Sequence, residues 1–297
     1  MRMTSFTWSN QQDSPIRLRT FLRQNGISRT LLKQIKFEGG KIVVNGVEEK
    51  VNYMLAQGDE VTITLPPEPA NDIIAVSNLP INILYEDDHF LIVDKPAHVA
   101  CLPSHLYKND TIANRVKGYF LRQDYDNQKI HIVNRLDMDT SGIIIFAKHH
   151  FAHSVLDKQM QHHQIEKMYF AIVENPLNDK HLEINLPIDR QPGSFIKRCV
   201  IEGGKPSKTE AWVEKNTPSH SLVKIKLHSG RTHQIRVHFE AIGHPLIGDW
   251  LYNPDNHELD RQALHCYKMK FYNPFIQQDV VCESKIPTDM SSIIQGF

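Results

Sequence analysis

The sequence predicts an α+β protein with a small amino-terminal module and a larger second module. In residues 80–297, short β-branched runs and amphipathic helical segments follow one another without a regular strand–helix alternation, which is typical of an α+β fold. The Pro-rich polar stretch Pro66–Asp72 cannot pair in a central strand and is typical of a semi-stiff linker. We therefore expect one domain at residues 1–70, a linker to about residue 79, and a second domain at residues 80–297.

The first module is predicted to contain two helices followed by a small sheet. Residue types that favour helix starts and stops bound the two helices: Ser14-Pro15 and Gly26 for the first, and Ser28 and Gly39-Gly40 for the second. The Asn45-Gly46 pair then predicts a hairpin turn. Residues Val61–Leu65 alternate between apolar and polar side chains, which predicts a half-buried strand.

The larger module is predicted to have five strands and two helices. Apolar, β-branched runs place the strands at Phe90–Val93, Ile130–Val133, Ile143–Ala147, Tyr169–Val173 and Leu222–Leu227. Apolar residues at helical spacing predict a helix over His149–His162. Thr232 is a candidate cap for a second helix, which Gly243 would end.

The composition is that of an ordinary globular protein. The chain has 297 residues, 40% of them hydrophobic and 23% charged, with a net charge of zero. No apolar run is long enough for a membrane helix, and the first residues lack the apolar core of a signal peptide, so we expect a cytoplasmic protein. The four cysteines are far apart and are expected to be reduced, mostly buried thiols, without a disulfide or a zinc site.

The charge is unevenly distributed. Residues 16–50 hold eight Lys and Arg residues against three acids, a local charge of +5. A basic segment in a neutral chain indicates a surface that binds a polyanion, although an ordinary solvated helix surface has the same composition. The candidate contact residues in this segment are Arg17, Arg19, Arg29, Lys33 and Lys36.

A short polar loop at residues 134–142 lies between two predicted buried strands. It contains one arginine, two aspartates, a Thr-Ser pair and a glycine. Loops held on rigid strands often carry catalytic groups. The loop alone leaves two interpretations open, because Asp137 and Asp139 are also suited to capping backbone amides in an Asx turn.

Several motifs resemble those of one enzyme family. The loop reads Arg135-Leu136-Asp137-Met138-Asp139-Thr140-Ser141-Gly142, which resembles the Arg-Leu-Asp-x-x-Thr-Ser-Gly signature of the RluA-type pseudouridine synthases. Other segments match the family in order from about Ile81 to the C-terminus: Leu84–Pro96, Lys167–Ala171, Gly204-Lys205 with Thr209, Gly230–His238, His244-Pro245 and Gly248-Asp249. One departure is Asn134, where many members have histidine, and it puts fine substrate contacts in doubt rather than the activity.

The resemblance implies a mixed-sheet synthase domain that converts uridine to pseudouridine in RNA. It assigns the essential carboxylate to Asp137, the arginine paired with it to Arg236, and the residue stacking on the base to Tyr169. Arg135 is a candidate for the space that a flipped base vacates, since the base must leave its stack to be reached. Asp139 is expected only to cap the loop. The reaction changes no oxidation state, so no cofactor and no metal are expected.

The first module resembles the RNA-binding domain named after ribosomal protein S-four, over about Pro15 to Leu65. With the synthase domain, this implies an enzyme acting on large-subunit (23S) ribosomal RNA, and we expect a monomer by default. Three alternatives stay open: the same chemistry on tRNA, a catalytically inactive RNA- or ribosome-binding protein, and a retaining glycosidase that pairs Asp137 with a second acid. Clustered histidines at positions 149–163 favour a solvated or RNA-facing surface over a metal site, and their role stays undetermined.

Overall fold

A large mixed sheet and a small antiparallel sheet organise this computed structural model, which describes residues 4–68, 70–71 and 73–295. The smaller module contains β1 (Ser5–Ser9), β2 (Ile16–Arg17), α1 (Leu18–Gln24), α2 (Arg29–Phe37), β3 (Lys41–Val44), β4 (Val47–Glu48), β5 (Met54–Leu55) and β6 (Glu60–Thr64). Its main sheet has the strand order β1-β6-β3-β4, and β2 pairs separately with β5. The α+β class predicted from the sequence is confirmed.

The larger module holds the remaining elements. In chain order they are β7 (Asn82–Glu86), β8 (Phe90–Lys95), α3 (Ile112–Arg122), β9 (His131–Ile132), β10 (Ser141–Ala147), α4 (His150–Gln161), β11 (Glu166–Glu174), β12 (His181–Asn185), β13 (Ile188–Arg190), β14 (Arg198–Val200), β15 (Lys208–Asn216), β16 (His220–Leu227), α5 (Gln234–Ala241), β17 (Leu264–Asn273), β18 (Gln278–Glu283) and α6 (Thr288–Gln295). The main sheet runs β12-β15-β16-β11-β17-β10-β8-β7, with β18 on β17 and β9 on β10. Four of the five predicted strands fall within observed strands, and the fifth, Ile130–Val133, is longer than the observed strand His131–Ile132.

The local signals of the first module are mostly confirmed. The Ser28 hydroxyl accepts the backbone N–H of Leu31 at 3.1 Å and caps α2 as predicted. Asn45 and Gly46 have φ values of 49° and 84°, so they form the predicted hairpin turn. The predicted start of α1 at Ser14-Pro15 is wrong. Residues Ile16–Arg17 pair with β5 instead, and the helix therefore begins at Leu18.

The start of α5 also differs from the prediction. The helix begins at Gln234, and the residue in the N-cap position is His233, which has a left-handed φ of 59°, instead of Thr232. His233 makes no side-chain capping bond to the helix. A left-handed conformation is uncommon outside glycine, and tertiary contacts must hold it in place. The consequence is that the His233 side chain is directed into the site described below.

The pairing of β10 with β17 is the parallel connection at the centre of the large sheet. At this place Gly142 has a φ of 115°, and a Cβ atom there would lie 2.2 Å from the carbonyl oxygen of Cys266. Only glycine fits so close to the neighbouring backbone. The loop of residues 134–140, which we call the Asp137 loop, is thereby fixed at the start of β10.

The two modules are packed against each other. The Phe6 ring lies 4.9 Å from the Phe151 ring and 5.3 Å from the Phe275 ring, measured between centroids. In the predicted linker, the Glu68 carboxylate lies 2.7 Å from His131 Nε2 and accepts the backbone N–H of His150. The linker is therefore attached to the larger module at Glu68. Pro69 and Asp72, also within the predicted linker, lie outside the described residues.

Candidate active site

A cleft of about 890 Å³ lies where the Asp137 loop, β11 and the segment of residues 230–236 meet. Among the side chains that line it are Arg135, Asp137, Lys167, Tyr169, Arg231, His233 and Arg236. The three residues expected to act in catalysis, Asp137, Tyr169 and Arg236, thus border one cavity. Because these residues are far apart in the sequence, it is the fold of the larger module that brings them together.

Buried polar side chains hold the Asp137 loop in place. The ammonium of Lys95, which is fully buried, donates to the carbonyl oxygens of Pro96, Val99 and Met138, each at 2.8 Å. Burial lowers the pKa of Lys95 to about 8. The Asn134 amide donates to Ile143 O and accepts from Ile145 N, so its role is to join the loop to β10. The departure from histidine at this position therefore has a structural role in this chain.

Arg261 and Gln262 support the loop from the other side. Arg261 is buried, and its guanidinium donates to the carbonyl oxygen of Asp139 at 3.4 Å and forms a two-point ion pair with Asp289 at 2.6 and 3.0 Å. Gln262 donates to the Thr140 hydroxyl at 3.0 Å. The Asp139 carboxylate itself lies 3.1 Å from His98 Nδ1. Asp139 was expected to cap the loop, but its carboxylate contacts His98 instead.

Asp137 is held by an arginine that is itself held by a buried acid. Arg236 Nη1 donates to Asp137 Oδ2 at 3.0 Å, while Nε and Nη2 donate to the two oxygens of Asp249 at 2.6 and 2.7 Å. The side chain of Arg236 is 4% exposed, that of Asp249 is fully buried, and that of Asp137 is 29% exposed. Nε and Nη2 of the guanidinium are thus bound inside the protein, and Nη1 donates to a carboxylate that reaches the cleft.

The electrostatics of this pair favour the charged guanidinium. Burial alone would lower the pKa of Arg236, but its hydrogen bonds and charge interactions with Asp249 and Asp137 outweigh burial and raise that pKa. The Arg236 guanidinium also lies 4.9 Å from the centre of the Tyr252 ring. Burial raises the pKa of Tyr252 to about 12, so its hydroxyl stays neutral.

His233 and Tyr252 form the second support of Asp137. His233 Nδ1 lies 2.9 Å from the Tyr252 hydroxyl, and its Nε2 lies 3.8 Å from Asp137 Oδ2. Burial lowers the pKa of His233 despite the neighbouring carboxylate, which favours the neutral imidazole. The structure therefore places the His233 imidazole near the carboxylate of Asp137.

The other polar residues of the segment 230–238 anchor it to β15. Gln234 donates to Lys208 O and to the Thr209 hydroxyl and accepts from Arg231 N, all at 3.0 Å. His238 Nδ1 lies 2.8 Å from the same Thr209 hydroxyl. Thr209 thus joins both side chains to one strand. This network explains why a threonine far away in the sequence belongs to the same set of motifs.

Tyr169 lies deeper than the charged residues of the cleft. It is 6% exposed, and burial together with the neighbouring Cys266 raises the pKa of its hydroxyl. Arg135 and Arg231 are exposed at the rim. The predicted RNA contacts of the first module, Arg17, Arg19, Arg29, Lys33 and Lys36, are all exposed and do not line the cleft.

Sequence reasoning missed Asp249 and Tyr252 as parts of the site. Asp249 was visible only as the end of a motif, and Tyr252 carried no signal, because their importance arises from contact with Arg236. The histidines at the start of α4 form two groups: His149 is buried at the N-cap, where it pairs with His89, and both His150 and His153 lie beside His131. Within the described ranges, one group of side chains has metal-ligand geometry, His181, Glu183 and Glu210, and it lies outside the cleft.

The described residues include no helix long and apolar enough to cross a membrane. They place three of the cysteines, Cys101, Cys266 and Cys282, in buried positions as free thiols, and Cys199 is a half-buried free thiol.

Comparison with known proteins gives the family. Residues 89–241 match the profile described as RNA pseudouridylate synthase. Two Bacillus subtilis proteins described as uncharacterized RNA pseudouridine synthases are similar: YjbO is 37% identical over 91% of this chain and 95% of its own length, and YhcT is 38% identical over 86% and 85%. The ribosomal large subunit pseudouridine synthase D of Nitrosomonas europaea is 35% identical over 74% of this chain and 66% of its own.

Solved structures agree with the fold. Human RNA Pseudouridylate Synthase Domain Containing 1 is 22% identical, with a TM-score of 0.59 over 74% of this chain and 95% of its own. Human RNA Pseudouridylate Synthase Domain Containing 4 gives a TM-score of 0.60 at 18% identity over 72% and 92%. The motifs, the mixed sheet and the match over residues 89–241 converge on one conclusion: the chain belongs to the RNA pseudouridylate synthase family and is an RNA pseudouridine synthase.

Proposed function

We propose that this enzyme isomerises uridine in large-subunit ribosomal RNA and that Asp137 is its essential carboxylate. The observation that carries the mechanism is the position of Asp137, which is partly exposed in the cleft and fixed by Arg236 at 3.0 Å. The ribosomal substrate is supported by the similarity to a relative named for the large ribosomal subunit. Transfer RNA is the alternative that the experiment must separate.

The reaction breaks the N1–C1′ bond of uridine, turns the base, and rejoins it through C5. The carbon C1′ becomes electron-poor when the bond breaks, and an ionised carboxylate is suited to attack it or to stabilise its positive charge. The guanidinium of Arg236 favours the ionised form of a carboxylate at this distance. Since Asp249 keeps Arg236 in place, Asp137 is positioned before substrate arrives.

Tyr169 is proposed to stack on the base. Its ring belongs to the apolar core and also lines the cleft, so it lies where an aromatic side chain could contact a base that enters the cleft. Its raised pKa keeps the hydroxyl protonated at neutral pH. Arg135 at the rim is proposed to hold the RNA from which the base is withdrawn, because an arginine both stacks and donates.

The first module is proposed to be an S-four-like RNA-binding domain. Arg29, Lys33 and Lys36 are exposed and follow the spacing i, i+4 and i+7, so they lie on one face of α2. A stripe of three cations on a helix suits a phosphate backbone. Arg17 and Arg19 add two exposed cations at the start of α1.

The catalytic proposal is tested with Asp137→Asn in the full-length protein. The amide nearly preserves shape but cannot act as a nucleophile or carry the charge, so we expect no pseudouridine and unchanged RNA binding. Asp139→Asn in the same loop is the control and should keep activity. Near-normal turnover by Asp137→Asn would remove Asp137 from the mechanism.

The substrate is tested by mapping pseudouridines in ribosomal and transfer RNA from cells with and without the gene. Loss of a site in large-subunit ribosomal RNA, restored by the wild-type gene and not by Asp137→Asn, is the expected result. A site lost only from transfer RNA would overturn the ribosomal assignment.

The RNA-binding role is tested with the triple variant Arg29→Gln, Lys33→Gln, Lys36→Gln. If each residue contacts a phosphate of single-stranded RNA, the slope of log K against log salt should become shallower by about 2 in total, at about 0.7 per contact. The matched control replaces three lysines of the large sheet, Lys226, Lys268 and Lys270, by glutamine and should keep the slope. Equal slopes for both triple variants would identify the basic face of α2 as a solvated surface.

A further inference from the structure

Lys167 is a cation of the cleft to which the proposed mechanism gives no role. Lys167 lies on β11 two residues before Tyr169, so both side chains project from the same face of the strand, roughly 7 Å apart along it. Both line the cleft with Asp137. Lys167 is partly buried, whereas Arg135 and Arg231 are exposed at the rim. Its position is therefore beside the place proposed for the base, and the rim arginines are better placed for phosphates.

The ammonium of Lys167 has unused hydrogen-bonding capacity. Across residues 4–68, 70–71 and 73–295, its Nζ has one hydrogen-bond partner, the Met160 sulfur at 3.8 Å, which is a weak acceptor. On another side Nζ approaches Gly230, whose added Cβ would lie 3.7 Å away. An ammonium has three donors, so this partly desolvated cation keeps donors free for a ligand in the cleft. By contrast, the buried ammonium of Lys95 has three carbonyl acceptors.

We propose that Lys167 is a further catalytic residue, whose ammonium stabilises the negative charge that uracil acquires when its bond to the ribose breaks. The inference rests on the proposed function, because it places the base beside Tyr169 and C1′ beside Asp137. A fixed cation aimed at developing charge in a partly dry site stabilises that charge more strongly than water does.

The step balances without an oxidant or a metal. The N1–C1′ bond breaks with its electron pair on N1, and the resulting negative charge spreads to O2 and O4 of the base, where Lys167 donates. The electron-poor C1′ is met by the carboxylate of Asp137. After the base turns, C5 supplies an electron pair to C1′, and the carboxylate of Asp137 departs from C1′ unchanged. The C5 proton passes to water, and N1 takes up one proton from water, so no net proton is gained or lost. Lys167 remains protonated throughout.

The test compares Lys167→Met and Lys167→Arg in the full-length protein. The substrate is an RNA fragment that the wild-type enzyme modifies, labelled with tritium at C5 of uridine, and the single-turnover rate of tritium release is measured. We expect Lys167→Met to be slower by about 10²–10³-fold, the usual loss for one charge-stabilising donor, with RNA affinity nearly unchanged. Lys167→Arg should recover part of the rate. Lys226→Met, on the adjacent strand and outside the cleft, is the control.

A second measurement separates charge stabilisation from a structural role. Fluorine at C5 withdraws electrons and stabilises the anion of the base by itself, so Lys167→Met should lose less rate on RNA containing 5-fluorouridine, followed by the rearranged nucleoside. Equal losses on both RNAs, a loss confined to affinity, or a wild-type rate would each overturn the proposal. Lys167→Gln replaces Lys167→Met if the latter has a lowered melting temperature.

Asp137→Asn is measured in parallel. If Asp137→Asn is inactive and Lys167→Met is not slowed, only the role of Lys167 falls. If Asp137→Asn is active, the proposed site itself falls, and the role of Lys167 falls with it.

Discussion

The ion pair between Arg236 and Asp249 gives the sharpest prediction about the stability of the site. In Asp249→Asn, an amide replaces a fully buried carboxylate that accepts two guanidinium bonds and the backbone N–H groups of Leu251 and Tyr252. The neutral amide leaves the buried cation compensated only by Asp137. Removing one partner of a buried pair typically costs about 3–5 kcal/mol of unfolding free energy. We expect a loss of that size and a large loss of activity, since Arg236 also positions Asp137.

The measurement is urea unfolding followed by tryptophan fluorescence, with single-turnover rates on the same preparations. Asp279→Asn is the matched control, because Asp279 pairs with Lys270 at 2.8 Å while both side chains are about half exposed. Exposed ion pairs contribute about 0–1 kcal/mol, so the control should change the unfolding free energy very little. If both variants lose less than about 1 kcal/mol, the buried pair does not organise the site and the reasoning fails.

Three further predictions concern the module contact, the central strand pair and acid stability. Burial opposes the ionisation of Glu68, but the hydrogen bond and charge of His131, with the hydrogen bonds from His150 and Asn127, together outweigh burial and lower its pKa from 4.5 to about 2. A lowered pKa stabilises the fold above pH 4.5, and this stabilisation is lost as the pH falls towards 2, so Glu68→Gln should unfold more easily than wild type at pH 7 and equally at the acid end. Gly142→Ala should prevent soluble folding because its Cβ would overlap Cys266, whereas Gly193→Ala, with open space around it, should cost about 1 kcal/mol in a urea titration. Removing residues 1–70 should leave a folded catalytic domain that binds RNA less tightly, but it uncovers Phe151 and Phe275, so the product should bind an apolar dye and melt earlier than the full chain.

Much of the fold could be predicted because many local sequence patterns favour the same conformation that the tertiary structure requires. Ser28 caps α2, Asn45-Gly46 turns a hairpin, and the β-branched run before Ala147 is a buried strand, each for a reason contained in a few neighbouring residues. The predictions failed where distant residues decide. Ile16–Arg17 is extended because β5 pairs with it, and His233 takes a left-handed conformation because its ring contacts Tyr252.

The same distinction applies to the site. The resemblance of motifs indicated Asp137, Tyr169 and Arg236, and the structure brings all three to one cleft, while their catalytic roles stay predictions. Asp249 was not recognised as part of the site. It contacts Arg236 across 13 residues, and neither residue periodicity nor motif spacing predicts that a carboxylate is buried against a guanidinium at that distance along the chain. Likewise, the Pro-rich composition of the linker predicted its backbone character but not the attachment of Glu68 to His131.

The side chains that hold the Asp137 loop come from far along the chain. Arg236 contacts Asp137 across 99 residues, and Arg261 and Gln262 contact Asp139 and Thr140 across 122 residues each. A partial fold that lacks β17 therefore cannot present the carboxylate correctly, even if β8 and β10 are already paired. Closing such long loops is entropically expensive and comes late in folding. Enzymatic activity therefore requires that the whole larger module is folded. If the chain is cut within this module, activity should return only when the two fragments reassemble.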